Sequence, residues 1–259
     1  MTVGWSGGGP HAIATAALLP KRVAAAATLA GVAPYDAAGL DWTAGMGEDN
    51  QIEYPLAARD PDALLEWMQP HIEALSKVSP EEIATSLRSL ISQVDEAALT
   101  GEFADHVARS FRHAFIQGPW GWYDDDLAFV QPWGVDLSSI AVPISIWQGD
   151  HDLMVPRSHA DWLIAHIPTS KPQLRPDHGH LSLMHRIGEV FDDLIQMAKQ
   201  LTKTDASGKM NALDTFTQRA VSVVTSGKVA DALDLDKEDK EVRRRYGRGC
   251  ALLEQDYLR

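Results

Sequence analysis

A single cysteine, Cys250, stands in a chain of 259 residues. It cannot close an internal disulfide or build a thiolate metal cluster, so nothing in the sequence asks for an oxidising compartment. Basic side chains are also scarce: 23 Lys and Arg face 36 Asp and Glu, a formal net charge of −13. A general nucleic-acid binder needs a basic face to meet the phosphates, and this balance argues against one. No apolar run approaches the ~20 residues that span a bilayer. The opening Met1-Thr2-Val3-Gly4 lacks the basic segment and following apolar segment of a secretory leader. The expectation is a cytoplasmic protein with no nucleic-acid or membrane partner. At 45% hydrophobic residues the chain has material for a core, as one large α/β domain or two small ones.

The charge is uneven. Residues 1–202 hold 12 basic and 26 acidic side chains, whereas residues 203–259 hold 11 and 10. The change falls in a polar stretch, Thr202-Lys203-Thr204-Asp205-Ala206-Ser207-Gly208-Lys209, which has no apolar periodicity and reads as a linker. Beyond it, residues 237–248 mix both signs, as a solvated helix face does.

Three short apolar segments read as strands: one ending at Val3, one over 23–29 stopped by Gly31, and one over 142–147. A weaker strand falls at 173–175. Helices are expected over 11–19, 158–166 and 187–201. Between residues 34 and 133 the pattern turns helical. Asp60-Pro61-Asp62 caps a stripe of Leu64, Leu65, Met68, Ile72 and Leu75, spaced for one helix face. Ser79-Pro80-Glu81-Glu82 has the capping serine, first-position proline and early acids of another helix start. A third helix is expected over 102–115. Strands alternating with helices around a helical insert predict an α/β parallel sheet. The expected division is a core of 1–33 and 134–202, a helical cap of 34–133, and a linker and helical tail of 203–259.

The chemistry lies at three turns. Gly4-Trp5-Ser6-Gly7-Gly8 fits G-x-S-x-G, a tight strand-to-helix turn on which small neighbours leave a serine hydroxyl exposed. There the Gly7 N–H and the positive helix end face an incoming carbonyl oxygen. A serine is a poor nucleophile until a base takes its proton and a carboxylate orients that base. Asp152 follows one expected strand, in Gly149-Asp150-His151-Asp152, and His180 follows the next, in His178-Gly179-His180-Leu181. In a parallel sheet all strand C-terminal ends share one rim, so Ser6, Asp152 and His180 can converge. Asp150 and His178 are the neighbouring alternatives. His151 and His159 lack a zinc-type ligand spacing and read as surface histidines. Trp120, Trp122 and Trp133 line an apolar acyl pocket or pack the cap, and Asp124-Asp125-Asp126 reads as a solvated helix start.

Together Gly4-Trp5-Ser6-Gly7-Gly8-Gly9-Pro10-His11, the turn from Gly149 through Asp152 to Val155-Pro156, and Gly179-His180-Leu181-Ser182 resemble the α/β-hydrolase superfamily, in the order Ser, Asp, His, over about residues 1–200. The resemblance implies a serine hydrolase cleaving an ester, thioester or amide through an acyl-enzyme. Ser6 is then the nucleophile, His180 the base and acid, Asp152 its orienter, and Gly7 and Trp5 the oxyanion and binding residues. It implies no metal and no cofactor, and a small-molecule acyl substrate. The family also places strands and an oxyanion loop ahead of the serine turn, where this sequence has three residues. One lost oxyanion donor costs about 10²–10³ in rate, and an uncovered edge strand invites association. The expectation is an N-terminally truncated hydrolase, impaired, unstable or oligomeric through its sheet edge; the other reading is a non-catalytic remnant or interaction protein. From about residue 210 the tail is similar to a segment of a sulfatase-like family of unknown function from planctomycete-type bacteria, and carries no activity over.

Overall fold

In the computed structural model, which describes residues 1–204 and their side chains as far as Gln200, four strands form one parallel sheet. They are β1 (Thr2–Trp5), β2 (Ala26–Leu29), β3 (Ile144–Gly149) and β4 (Ser170–Arg175), in the spatial order β1-β2-β3-β4. Register runs Thr2 to Ala26, Ala26 to Ile144 and Ile144 to Ser170. The expected α/β architecture with a parallel sheet is what the chain adopts. The expectations for the tail, including its resemblance and the mixed-charge run, fall outside the described residues.

Residue choice explains the layering. β3 is buried along its whole length, as a parallel strand covered on both faces must be. One face of the sheet carries Ala26, Ile144 and Ile146, packed with Ile13 and Ala16 of α1 (Gly8–Leu18) and with Ala160, Leu163 and Ile167 at α8 (Arg157–His166). The other carries Ala27, Leu29 and Trp147 against Val190, Leu194 and Met197 of α9 (Ile187–Thr204). Each fully buried Ile or Leu contributes about 1.5–3 kcal/mol relative to leaving it exposed. Alanines on β2 let the helices come close, and the Arg175 guanidinium lies 4.5 Å above the Trp147 ring. Glycine is required where α1 meets β1: a Cβ on Gly4 would sit 1.9 Å from the Gly8 carbonyl oxygen. β1 is the sheet's edge strand, and Val3 and Met1 are exposed there.

Between β2 and β3 lie α2 (Glu48–Arg59), α3 (Pro61–Leu75), α4 (Ile83–Ser86), α5 (Gln93–Ala98), α6 (Gly101–Ala114) and α7 (Trp120–Phe129). The Asp60 carboxylate accepts from the Ala63 N–H at 3.1 Å, capping α3, and Leu64, Met68 and Leu75 are buried as the stripe requires. The helix expected at residue 79 shrinks to the four residues of α4. Its Glu82 carboxylate does accept from the Ser79 N–H. The chain then turns where the Ser89 carbonyl packs on Gly47, so tightly that a Cβ there would meet it at 2.1 Å.

Two surface readings are corrected. Asp126 lies in the second half of α7 and is buried, with Asp124 and Asp125 exposed beside it. α7 packs on α2, and that interface turns the third acid of the triplet inward, towards Glu53. His159 is also buried. The Ala33 N–H donates to its Nδ1 at 3.1 Å and its Nε2 meets the Trp42 carbonyl at 2.8 Å, so both ring nitrogens are spent on backbone. No helix among the described residues is long and apolar enough to cross a membrane.

Candidate active site

Ser6 directly follows the last residue of β1 and forms, with Gly7, the turn into α1, with φ at 55°. A non-glycine residue in this left-handed region costs on the order of 1–3 kcal/mol and persists only where its surroundings over-determine it. Here the Ser6 N–H donates to the Leu29 carbonyl at 2.8 Å, and the Ser6 carbonyl accepts from the Gly9 N–H at 2.9 Å. The strained turn is thereby clamped to β2 on one side and to α1 on the other. Gly7 caps α1, and the first amides of a helix have no acceptor within it. The Phe129 ring at the end of α7 lies over this turn, 2.8 Å from where a Gly7 Cβ would stand.

Asp152 and His180 meet in the interior. The imidazole Nδ1 lies 2.9 Å from Asp152 Oδ2 and 3.1 Å from Oδ1, and both side chains are almost fully enclosed. The other contacts of the carboxylate fix its orientation: Oδ1 accepts from the Met154 and Val155 N–H groups at 2.9 and 2.8 Å, and Oδ2 accepts from Gln148 Nε2 at 3.0 Å. Oδ1 is shared with two amides and Oδ2 is the oxygen nearer the imidazole; a carboxylate can only accept, so Nδ1 carries the proton.

The neighbouring alternatives are engaged elsewhere. Asp150 binds the Arg157 guanidinium at 2.8 Å. His178 Nε2 accepts from Arg186 Nε at 3.0 Å, and burial, with the Arg186 charge, holds its pKa below the usual histidine value.

Trp5 links the serine turn to the histidine. Its indole N–H donates to the His180 carbonyl at 3.2 Å, and the two rings are 5.7 Å apart. One apolar cluster contains Trp5, Met154 and Leu181, each within two residues of Ser6, Asp152 or His180, packed with Leu87, Ile91 and Val107 from the inserted segment. Among the described residues no hydrogen bond joins the Ser6 hydroxyl to His180. Such contacts are often long until substrate binds.

Of the three tryptophans, Trp122 and Trp133 pack inside. Trp122 stands against Trp67, His71 and Phe115, and its N–H donates to Glu53 Oε1 at 2.5 Å. Trp133 joins the core and Trp120 is exposed. Burial raises the pKa of both Glu53 and Asp126, that of Asp126 well above the ordinary carboxylate value, and the neighbouring Glu53 charge adds to the rise at Asp126. Among the described residues no three His, Cys, Asp or Glu side chains group as metal ligands.

Residues 1–186 match the family model of the α/β hydrolase fold. The chain belongs to the α/β-hydrolase family. No curated protein sequence matches it. Among solved structures, the α/β-hydrolase chain is similar to a bromoperoxidase from Bacillus anthracis, at 20% identity and a TM-score of 0.50, covering 76% of this chain and 67% of that one. A hydrolase from Oleispira antarctica shares 16% identity, with a TM-score of 0.48 and coverage of 76% and 64%. The meta-cleavage product hydrolase of Pseudomonas fluorescens IP01 shares 19%, with a TM-score of 0.45 and coverage of 78% and 64%. The chain thus spans about two thirds of the length of these structures, and likeness at these identities concerns the fold.

Two contributors escaped the sequence reading. Gln148 holds the Asp152 carboxylate from the end of β3. Asp95, in α5, accepts from the backbone of the His180 loop. A lone glutamine inside an apolar strand and an acid at a short helix start carry no catalytic signature in sequence.

Proposed function

We propose that this chain is a serine hydrolase acting on an ester, thioester or amide through an acyl-enzyme on Ser6, with residues 34–133 serving as the cap. The buried His180–Asp152 pair carries the reading, because it lies at the same sheet rim as a serine held at positive φ.

In the first half-reaction, Ser6 Oγ bonds to the substrate carbonyl carbon as its proton passes to His180 Nε2. The carbonyl oxygen becomes an oxyanion facing the Gly7 N–H. Collapse breaks the bond to the alcohol, thiol or amine, which leaves with the proton from His180. Water then attacks the acyl carbon, gives a proton to His180, and the tetrahedral species expels Ser6 Oγ, which recovers that proton as the acid departs. Asp152 holds the imidazole in the tautomer with Nε2 free and stabilises the transient imidazolium.

A p-nitrophenyl ester assay tests this. Ser6→Ala should lose at least about 10³-fold in kcat/KM, and a fluorophosphonate should label Ser6 in the folded wild type. Equal turnover by wild type and Ser6→Ala, with Ser6 unlabelled, would favour a non-catalytic interaction protein.

A further inference from the structure

Asp95 stands 85 residues from His180 in sequence and belongs to the inserted helices. It is fully buried, yet its two carboxylate oxygens accept from the histidine loop and from Ser92. Oδ2 accepts from the His180 N–H at 2.9 Å and from the Ser92 hydroxyl at 3.3 Å. Oδ1 accepts from the Leu181 N–H at 2.9 Å and the Ser182 N–H at 2.8 Å. Three consecutive amides thus converge on one carboxylate. The approach is close enough to dictate the neighbouring residue: a Cβ on Gly179 would sit 2.3 Å from Asp95 Oδ2. From the other side, the Gly179 N–H donates to the Ser182 hydroxyl at 2.8 Å, which closes the loop on itself.

We infer that Asp95 is a positioning residue for His180, by which the inserted helices set the place of the imidazole. This rests on the acyl-transfer reading of Ser6, Asp152 and His180. The physical reason is a division of labour. Asp152 fixes the ring of His180 through Nδ1, whereas nothing on the ring fixes where its Cα stands. Asp95 holds that backbone position at His180 itself and at the two residues after it. Four other contacts to this loop come from the core: the Trp5 N–H on the His180 carbonyl, the His151 N–H on the His178 carbonyl, the His178 N–H on the Arg175 carbonyl, and Arg186 on the His178 ring. None of these reaches the amide of His180.

The conservative variant is informative because of how the oxygens are used. In Asp95→Asn the amide oxygen can keep the Leu181 and Ser182 N–H groups, and the NH₂ then confronts the His180 N–H, donor against donor. The hydrogen bond that disappears is therefore the one at the base itself. A misplacement of reacting groups by about 1 Å costs about 10²-fold in rate, so Asp95→Asn should lower kcat by about 10–10²-fold with KM nearly unchanged. Asp95→Glu, which restores the charge with one extra methylene, should recover part of the loss. Asp105→Asn, an exposed acid on α6 of the same insert, should behave as wild type.

The readouts that a merely structural acid would not move are the downfield Nδ1 proton resonance of His180 and the hydrogen exchange of the amides of residues 180–182. In Asp95→Asn the resonance should shift or broaden, and the His180 amide should exchange faster than the Leu181 and Ser182 amides. Gly179→Ala presses on the carboxylate from the loop side and should reproduce both changes if the Asp95 variants do not fold. Wild-type kcat in Asp95→Asn, with the imidazole resonance and the three amides unchanged, would overturn the inference. If the wild type itself shows no Ser6-dependent turnover, the acyl-transfer reading fails separately. The resonance and the exchange rates then still decide whether Asp95 holds His180 in place.

Discussion

Replacing Asp152 by Asn leaves shape and volume almost unchanged and reverses the logic of one hydrogen-bond set. Asp152 Oδ1 accepts from two backbone N–H groups, of Met154 and Val155. In Asp152→Asn these amides hold the side-chain oxygen, so its NH₂ occupies the Oδ2 position, facing His180 Nδ1 and Gln148 Nε2. The imidazole can satisfy that NH₂ only by accepting at Nδ1, which moves its own proton to Nε2 and removes the free base that Ser6 needs. Reversal of this tautomer is worth about 10⁴ in kcat, about 5 kcal/mol of transition-state stabilisation. Gln148 can relieve part of the conflict by turning its amide, because its Oε1 is buried without a partner. The turn would sacrifice donation to the Val155 and Gly149 carbonyls at 2.8 and 3.3 Å. A frustrated buried donor costs about 1–3 kcal/mol, so the stability loss should be smaller than the catalytic one. The assay is kcat on a p-nitrophenyl ester, with ¹⁵N NMR reporting which imidazole nitrogen carries the proton. A folded Asp152→Asn protein with kcat within tenfold of wild type, or with the proton still on Nδ1, would refute the reasoning.

Two further predictions concern pH. Burial raises Asp126 well above the ordinary carboxylate value and raises Glu53 as well. Their favourable contribution is therefore complete below the unfolded carboxylate pKa of about 4 and declines as pH rises towards the folded values. Asp126→Asn should gain stability relative to wild type as pH rises above the ordinary carboxylate range; a pH-independent gap in urea midpoints would contradict this. His159 runs the other way: burial lowers it from 6.5 to about 4. Its contribution is complete above pH 6.5 and is lost as pH falls towards 4, by up to about 3 kcal/mol. His159→Gln should unfold with a flatter acid limb, and an unchanged limb between pH 6.5 and pH 4 would remove His159 from the acid transition.

The sheet and the pairing of Asp152 with His180 were legible because each rests on a local rule. Short apolar runs ended by glycine give buried parallel strands, and residues just past their C-terminal ends share a rim. The Asp60 cap and the Leu64, Met68 and Leu75 stripe were legible for the same reason. What stayed hidden depended on partners distant in sequence. α2 carries no apolar stripe to advertise it: it contains Pro55 and buries Asn50 and Glu53. Asp126 looked solvated because its neighbours are, and only packing against α2 takes it inside. Ser92 and Asp95 resemble an ordinary capping pair, three residues apart at a helix start; that the carboxylate is spent on a loop 85 residues away is a tertiary fact.

That carboxylate also bears on how freely this architecture can be recombined. Grafting a different insert between β2 and β3 would remove the acceptor of three consecutive amides at His180, Leu181 and Ser182 and leave them unsatisfied. A compatible graft must bring an acid to the same spot, and Gly179 must stay a glycine to receive it. On the proposed acyl-transfer reading, a chimera judged by pocket shape alone should bind well and work slowly.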